Sequence, residues 1–328
     1  MKIAIISDFN IGGIPTYLMR AINKYTEHQA RCIIAYDDAF AFDRDIVLNS
    51  TAAKEEAADW VNQCDFFHFG RGIFNWPGAD FNNLVNRNNC CIEYYGSELR
   101  SKWASIASYH QRTGIVAITG TDWTITGRLP GSFYHFGQYF TRYGDMEEND
   151  IPFAKSWNGE GNFKIAIASA GSPLKGYDFL YGAASQLASE GFPVEIVTMS
   201  QINNDEVLER KRDCHATFTS LHGGWGMSGE ESMFLGHPII CSLDPWAMGL
   251  YPNNPTVIVG KSGLKEKIFK LVQDQKYTFF VGADSRKFAM ENFNTRTILK
   301  RYLYFWDLIM NWEACLEGGH RPTKIYDF

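Results

Sequence analysis

The chain has 328 residues, of which 45% are hydrophobic and 15% aromatic, and it carries a formal net charge of −6. This composition excludes an intrinsically disordered chain, because that class combines low hydrophobicity with high net charge. Residues 1–150 hold 13 Lys or Arg against 18 Asp or Glu, which argues against a generally basic, nucleic-acid-binding surface and leaves only a local patch open. The seven cysteines form no CxxC pair, so we expect no zinc cluster or disulfide framework and a reducing, cytosolic setting.

The first half of the chain alternates strand and helix patterns. KIAIISDF is a β-branched run, and IPTYLMRAINKYTEH repeats apolar residues at helical spacing before a second strand, RCIIAYDD. The Gly pair Gly12-Gly13 lies between the first strand and the helix, which makes a βαβ unit and predicts a parallel, doubly wound sheet. The pattern continues with helices at TAAKEEAADWVNQ and FNNLVNRN and strands at CDFFHFG, CCIEYYGSEL and TGIVAITG.

A polar segment with Gly and Pro, residues 145–161, is the predicted linker, and the strand pattern restarts after it. The strands predicted there are NFKIAIASAG, FPVEIVTM, HATFTSL, HPIICSLD and TVIVG. We therefore predict α/β domains at residues 1–150 and 151–300, each with a parallel sheet, followed by a C-terminal helix at 301–328. No run of about 18 apolar residues occurs, so no transmembrane helix is expected.

Residues 223–242, GGWGMSGEESMFLGHPIICS, are unusual because a Gly-rich turn leads into two adjacent carboxylates and then a buried helix. General catalytic motifs do not account for this stretch. The chain has no P-loop, no G-x-G-x-x-G after the first strand and no G-x-S-x-G, and its histidines show no metal spacing.

Six segments, in chain order, are similar to the motifs of one family: DFNIGGIPTYLMRAI, CDFFHFG, CIEYYGSEL, SPLKGYDFLYGA, GGWGMSGEESMFLGHPII and RKFAMENFNTRTILKRYLYFW. Together they resemble the nucleotide-sugar-dependent GT-B glycosyltransferases of family 4. The resemblance implies two Rossmann-like domains that face each other across a cleft. It also implies that the helix at 301–328 crosses back to the N-terminal domain.

The resemblance assigns a donor site to the Gly-rich segments and their neighbours. By register from Gly236 and Pro238, Glu231 takes the position of the family's ribose-binding carboxylate, and Lys175 takes that of a diphosphate-binding lysine. The full set of donor-binding candidates is Gly12, Gly13, Lys175, Gly223, Gly224, Trp225, Gly226, Glu230 and Glu231. Backbone N–H groups at a helix start favour phosphate, and a carboxylate suits ribose hydroxyls.

The sequence departs from the family at three positions. Gly223 stands where the family's first Glu is expected, Tyr95 replaces a His, and the segment before Lys175 lacks an Arg. Candidates to supply that missing positive charge are Arg71, Arg128 and Arg142. The catalytic candidates are Lys175, Tyr95 and His68, and the acceptor-side candidates are Tyr95, Ser97, Glu98 and Arg71.

The function that the resemblance implies is transfer of a sugar from a nucleotide-diphosphate sugar, with a UDP-sugar as co-substrate, no further cofactor and no bound metal. It implies retention of anomeric configuration and a glycan or lipid-linked sugar as acceptor. A hydroxymethylated base in DNA is an alternative acceptor. A non-catalytic binding protein and a sugar-nucleotide epimerase are alternative functions. The expected location is cytoplasmic, with peripheral membrane association and the oligomeric state left open.

Overall fold

The computed structural model describes residues 1–36, 42–95, 97–119, 133–134, 139–168, 175–200, 202–221, 224–243, 248–249 and 251–311. The chain divides into two compact units. The first contains Met1–Phe140 and the C-terminal segment from Thr295, and the second contains Thr141–Asn294. The sequence pattern predicts domain boundaries at residues 150 and 300.

The strands of both units are short, parallel and rich in β-branched and aromatic residues. In chain order they are β1 Lys2–Ser7, β2 Gln29–Ile34, β3 Ile46–Val47, β4 Phe66–Gly70, β5 Cys90–Tyr94, β6 Val116–Thr119, β7 Phe133–Tyr134, β8 Phe163–Ala168, β9 Val194–Met199, β10 Ala216–Phe218, β11 Ile239–Cys241 and β12 Val257–Ile258. The first sheet has the order β3-β2-β1-β4-β5-β6-β7, and the second has the order β12-β11-β10-β8-β9. Near-continuous apolar runs are typical of parallel strands, which are covered on both faces.

The helices follow the strands along the chain. They are α1 Ile14–Tyr25, α2 Thr51–Val61, α3 Phe81–Leu84, α4 Ser97–Thr113, α5 Tyr177–Ser189, α6 Asn204–Arg212, α7 Gly226–Phe234, α8 Leu264–Gln273, α9 Gln275–Asn292 and α10 Thr295–Met310. Within the described residues, no helix is long and apolar enough to cross a membrane.

The C-terminal helix α10 packs on the first sheet, although 154 residues of the second unit precede it in the chain. Its buried side chains recur at helical spacing and include Tyr302 and Trp306, which share one core with Ile3 and Phe66. The Trp306 and Phe66 ring centroids are 5.3 Å apart. The predicted fold class, two parallel α/β units with a C-terminal helix that crosses back, is therefore confirmed.

The predicted helix FNNLVNRN shortens to the single turn α3. Asparagine side chains bind the local backbone after it: Asn89 Nδ2 donates to Leu84 O at 2.9 Å, and Asn86 Oδ1 accepts from Asn88 N at 2.8 Å. Such side-chain bonds compete with the helical pattern, which explains why the helix ends at Leu84.

The segment predicted as a linker, residues 145–161, is packed into the second unit. The guanidinium of Arg286, in α9, donates to the carbonyls of Glu148, Ile151 and Phe234 at 2.7–2.9 Å. Trp157 Nε1 donates to Val272 O at 2.8 Å. The segment predicted as a linker therefore belongs to the second unit.

Candidate functional site

The loops that follow β8 and β10 meet at the carboxyl edge of the second sheet. Leu221 N donates to the carbonyl of Lys175 at 3.0 Å. Gly176 has φ 80°, and a Cβ on it would lie 2.8 Å from Leu221 Cδ1. A glycine is therefore required after Lys175, both for the left-handed backbone and for the close approach of the two loops. The carboxyl edge is where ligands bind in open parallel sheets, so Lys175 is placed at the expected edge.

The Gly-rich turn follows β10 at the same edge. Gly224 has φ 113°, its N–H donates to Ser242 O at 3.0 Å, and its carbonyl accepts from Thr219 Oγ1 at 3.2 Å. Gly226 has φ 59° and begins α7, and a Cβ built there meets nothing within 4 Å. The start of α7 therefore borders open space, and its first N–H groups form an arrangement that favours an anion.

The Trp225 side chain belongs to the core of the second unit. It is 3% exposed, Nε1 donates to Thr256 Oγ1 at 2.6 Å, and the ring packs against Tyr251, Phe288 and Phe293. Trp225 was predicted among the donor-binding residues. Because its ring is enclosed, only its backbone is available to a ligand at the turn.

The two adjacent carboxylates of α7 are both buried. Glu231, whose side chain is 3% exposed, accepts a hydrogen bond from Lys211 Nζ at 3.0 Å, and the same ammonium donates to Ser228 O at 3.0 Å. Glu230 is fully buried. Glu231 thus forms a buried ion pair within the second unit, and ribose binding by Glu231 stays a prediction. Sequence reasoning missed Lys211, although it lies three residues after Leu208 on the buried face of α6.

In the first unit, the Gly pair forms the turn between β1 and α1. Gly12 has φ 61° and Gly13 has φ 75°. A Cβ on Gly13 would lie 2.8 Å from carbons of Phe42 and Tyr17, so a larger residue does not fit without rearrangement. The turn places the start of α1 at the carboxyl edge of the first sheet, as the pattern predicts.

Glu93, at the end of β5, is the centre of a buried hydrogen-bond network. It accepts from Tyr302 OH at 2.8 Å, from His68 Nε2 at 2.9 Å and from Tyr95 OH at 3.3 Å. These donors compensate the burial of a carboxylate. Burial, followed by the charge of Glu93, raises the pKa of Tyr95 and of Tyr302 well above the usual range, so both phenols remain hydrogen-bond donors.

His68 is enclosed in this network rather than open to a ligand. It is 1% exposed, and Cys91 Sγ lies 3.3 Å from its Nδ1. Cys91, His68 and Glu93 therefore have the order of a nucleophile, base and orienting acid. However, burial raises the pKa of the Cys91 thiol well above its usual value, which keeps the sulfur protonated and unreactive. His68 is connected through Glu93 to Tyr95 at the end of the neighbouring strand.

Arg71 follows β4 at the same edge and lies against the end of β1. Its Nη1 is 3.1 Å from Asp8 Oδ2, and its Cζ is 5.9 Å from the ring centroid of Phe9. The backbone N–H of Arg71 donates to Glu93 O at 2.8 Å. The structure thus brings two acceptor-side candidates, Arg71 and Tyr95, to adjacent strand ends.

Comparison with known proteins identifies the fold. No protein-family model matches the chain, and no curated protein sequence matches it significantly. Among solved structures, HepE from Anabaena in complex with UDP-glucose matches with a TM-score of 0.62 at 13% identity, covering 94% of this chain and 99% of HepE. The catalytic domain of starch synthase IV from Arabidopsis thaliana, bound to ADP and acarbose, matches with a TM-score of 0.60 at 9% identity and the same coverage. The chain has the GT-B glycosyltransferase fold.

A third GT-B match is an alpha-glucosyltransferase in complex with UDP and a 13-mer DNA containing an HMU base. It has a TM-score of 0.57 at 11% identity and covers 94% of this chain and 99% of its own. At these identities, the matches establish the shared GT-B fold and leave the residues of each site to be argued from this chain.

Several predicted residues are outside what the structure describes. Gly223 and Arg128 lie beyond the described residues, and for Ser97 and Glu98 only the backbone at the start of α4 is described. Arg142 pairs with Asp205 within the second unit. No group of side chains suited to holding a metal ion occurs in the described part of the chain.

Proposed function

We propose that the chain transfers a sugar from a nucleotide-diphosphate sugar to an acceptor hydroxyl. The observation that carries the proposal is that Lys175, whose carbonyl accepts from Leu221 N, and the turn Gly224–Gly226 both lie at the carboxyl edge of the second sheet. An ammonium and a helix start at one edge of a sheet suit a diphosphate, because a positive charge and N–H donors can act on the same group. The GT-B fold, shared with proteins solved with UDP and UDP-glucose, supports this assignment.

In the proposed mechanism, Lys175 and the first N–H groups of α7 stabilise the negative charge that develops on the leaving diphosphate. Removing one such preorganised donor costs about 3 kcal/mol of transition-state stabilisation. No protein nucleophile is proposed, since front-side attack by the acceptor hydroxyl retains configuration without one. Tyr95 stays neutral because its pKa is raised, and since its one O–H is donated to Glu93, its oxygen is proposed to accept a hydrogen bond from a sugar hydroxyl.

Glu231 is proposed as the ribose ligand while it keeps its ion pair. Each carboxylate oxygen carries two lone pairs, so one carboxylate can accept from Lys211 and from ribose hydroxyls together. The Glu231 side chain is 3% exposed, so the residues around it have to move slightly for a ribose to reach the carboxylate.

For the acceptor, we propose a glycan or a lipid-linked sugar. The DNA-bound alpha-glucosyltransferase makes a modified DNA base the second candidate. Residues 1–150 carry five more acidic than basic residues, which disfavours a DNA backbone because each phosphate contact calls for a local cation. Transfer of labelled glucose from UDP-glucose to oligosaccharides, and separately to hydroxymethylated duplex DNA, distinguishes the two acceptors.

A thermal-shift screen against UDP, GDP, ADP, CDP and dTDP tests the donor site and identifies the base. A ligand at 100 times its Kd stabilises the folded state by about 2.7 kcal/mol. We expect UDP to raise the Tm of the wild type and of Lys276→Ala, a change at an exposed lysine at the start of α9. Lys175→Ala should lose most of the rise. No shift with any nucleotide would favour the non-catalytic alternative.

A further inference from the structure

Arg71 has an unusual backbone conformation. Among the described residues, it is the one non-glycine residue with φ in the left-handed region, at 70°. That region is unfavourable for a residue with a Cβ, and such strain persists where the surrounding structure imposes it. A glycine at this position would avoid the cost, so the arginine side chain itself needs an explanation.

The strand ends around Arg71 fix this conformation. Gly70 packs closely against the ends of β1 and β5. A Cβ on it would lie 2.6 Å from Ser7 Oγ and 3.5 Å from the Tyr95 ring. The N–H of Arg71 then donates to Glu93 O at 2.8 Å, which extends the parallel ladder by one residue. These contacts involve only the backbone of Arg71, and a glycine would make them equally well.

The strained backbone positions the side chain of Arg71 against Asp8 and Phe9. Asp8 holds the guanidinium at 3.1 Å, the ring of Phe9 lies beneath it, and 29% of the side chain stays exposed at the carboxyl edge of the first sheet. Asp8 is itself 27% exposed. An ion pair that is about a quarter exposed is partly screened by solvent and contributes modestly to stability, so it does not by itself justify a strained backbone.

We propose that Arg71 binds an anionic group of a substrate at this edge and that Asp8 holds the guanidinium in place until the ligand arrives. A guanidinium matches phosphate or carboxylate through paired N–H donors, and a ligand phosphate would compete with Asp8 for them. The inference rests on the proposed function for its source of anion, which is a charged group on the acceptor.

The strain is tested by comparing Arg71→Gly with Arg71→Ala. Both variants lose the contacts with Asp8 and Phe9, and they differ in whether a Cβ occupies the left-handed backbone. We expect the Tm of Arg71→Gly to exceed that of Arg71→Ala by about 2–4 °C, the shift that 1 kcal/mol produces in a domain of 150–250 residues. A Tm of Arg71→Ala equal to or above that of Arg71→Gly would contradict the strain.

Anion binding is tested by calorimetric titration with UDP, uridine and inorganic phosphate. Losing a charge-assisted hydrogen bond weakens binding about tenfold or more. We expect the wild type to bind phosphate in the presence of UDP, Arg71→Gly and Arg71→Ala to bind it at least about tenfold more weakly, and Arg71→Lys to keep part of the affinity. Binding of UDP and uridine should be unchanged in all three variants.

The control for nonspecific charge is Arg112→Ala, which removes an exposed arginine in α4 of the same unit and should behave like the wild type. Unaltered binding of phosphate in Arg71→Gly and Arg71→Ala would overturn the proposal. If the wild type binds no nucleotide, the proposed function fails, and phosphate binding then decides the role of Arg71 on its own.

Discussion

Tyr302 in the C-terminal helix donates a hydrogen bond of 2.8 Å to Glu93 Oε1 at the end of β5. The two residues are separated by 209 positions in the sequence, and both are fully buried. Through Glu93, the returning helix is connected to His68 and Tyr95. The helix therefore both completes the core of the first unit and holds the side chains that lie behind its carboxyl edge.

Tyr302→Phe should destabilise the protein because it removes one donor from a buried carboxylate. Hydrogen bonds to charged groups contribute about 1.5–3 kcal/mol, so the unfolding free energy measured in urea should fall by that amount. Tyr304→Phe, an exposed tyrosine of the same helix, is the matched control and should change it little. A Tyr302→Phe variant as stable as the wild type would show that the bond is not maintained in solution.

Trp225→Phe should lower stability without changing nucleotide affinity. The variant loses the bond from Nε1 to Thr256 and leaves a buried hydroxyl without its donor, at a cost of about 1–3 kcal/mol. The backbone of the Gly-rich turn is unaltered, so the Kd for UDP should stay within about twofold, which is under 0.5 kcal/mol. A large loss of UDP affinity in a stable variant would show that the indole contributes to nucleotide binding.

Lys211→Met should be strongly destabilising because it leaves Glu231 buried without its ammonium. Breaking a buried pair from one side costs about 3–5 kcal/mol, whereas replacing both partners by apolar residues is often close to neutral. We therefore expect the double variant Lys211→Met/Glu231→Leu to recover most of the loss on urea denaturation. Lys276→Met, at an exposed site, is the control.

The same double variant tests the ribose role of Glu231, since it is expected to fold. If the carboxylate binds ribose, UDP affinity should fall at least about tenfold, or 1.4 kcal/mol, while inorganic pyrophosphate binding is retained. Equal UDP affinity in the double variant and the wild type would restrict Glu231 to the ion pair.

The second unit should lose stability in mild acid because two histidines are buried in their neutral form. Burial, and then the charge of Lys211, lowers the pKa of His237 to about 3, and burial, with Lys155 and Lys164 nearby, lowers that of His215 to about 4. His215 Nδ1 accepts from Lys164 N at 2.9 Å, which requires an unprotonated nitrogen. At pH values between these folded-state pKa values and the unperturbed histidine pKa of 6.5, the unfolded chain binds protons that the folded chain does not.

Unfolding free energy should therefore fall as the pH drops below about 6.5, by about 2 kcal/mol per histidine at pH 5. The loss of unfolding free energy should continue until the pH reaches the folded-state pKa values of the two histidines. Urea denaturation of the wild type and of His237→Asn at pH 7.5 and 5 measures this, and the variant should lose less. Equal losses in the two proteins would show that His237 is protonated or exposed in the folded state.

Periodicity and Gly placement were enough to predict the two parallel sheets, because these signals are local. The strand, Gly pair and helix at the N-terminus and the turn before α7 follow from residues within a short window. The C-terminal helix also follows, since its apolar residues recur at helical spacing, although only the family resemblance indicated which unit it joins.

The environments of the site side chains depend on residues distant in sequence. Lys211 reaches Glu231 from another helix, and Tyr302 reaches Glu93 across most of the chain. No sequence window contains either pair. Glu93 did carry a local signal, because an acid stands inside the otherwise apolar strand CCIEY. A buried acid requires donors, and this requirement could have directed attention to His68 and Tyr95 as one network.

The most direct test of the donor site is calorimetric titration of UDP-glucose into the wild type, Lys175→Ala and Lys276→Ala. We predict one site per chain for the wild type and for Lys276→Ala. For Lys175→Ala we predict affinity at least about tenfold weaker, which is the loss of one charge-assisted contact. Binding of UDP-glucose that is equally tight in Lys175→Ala, or no binding by the folded wild type, would contradict a donor site at the carboxyl edge of the second sheet.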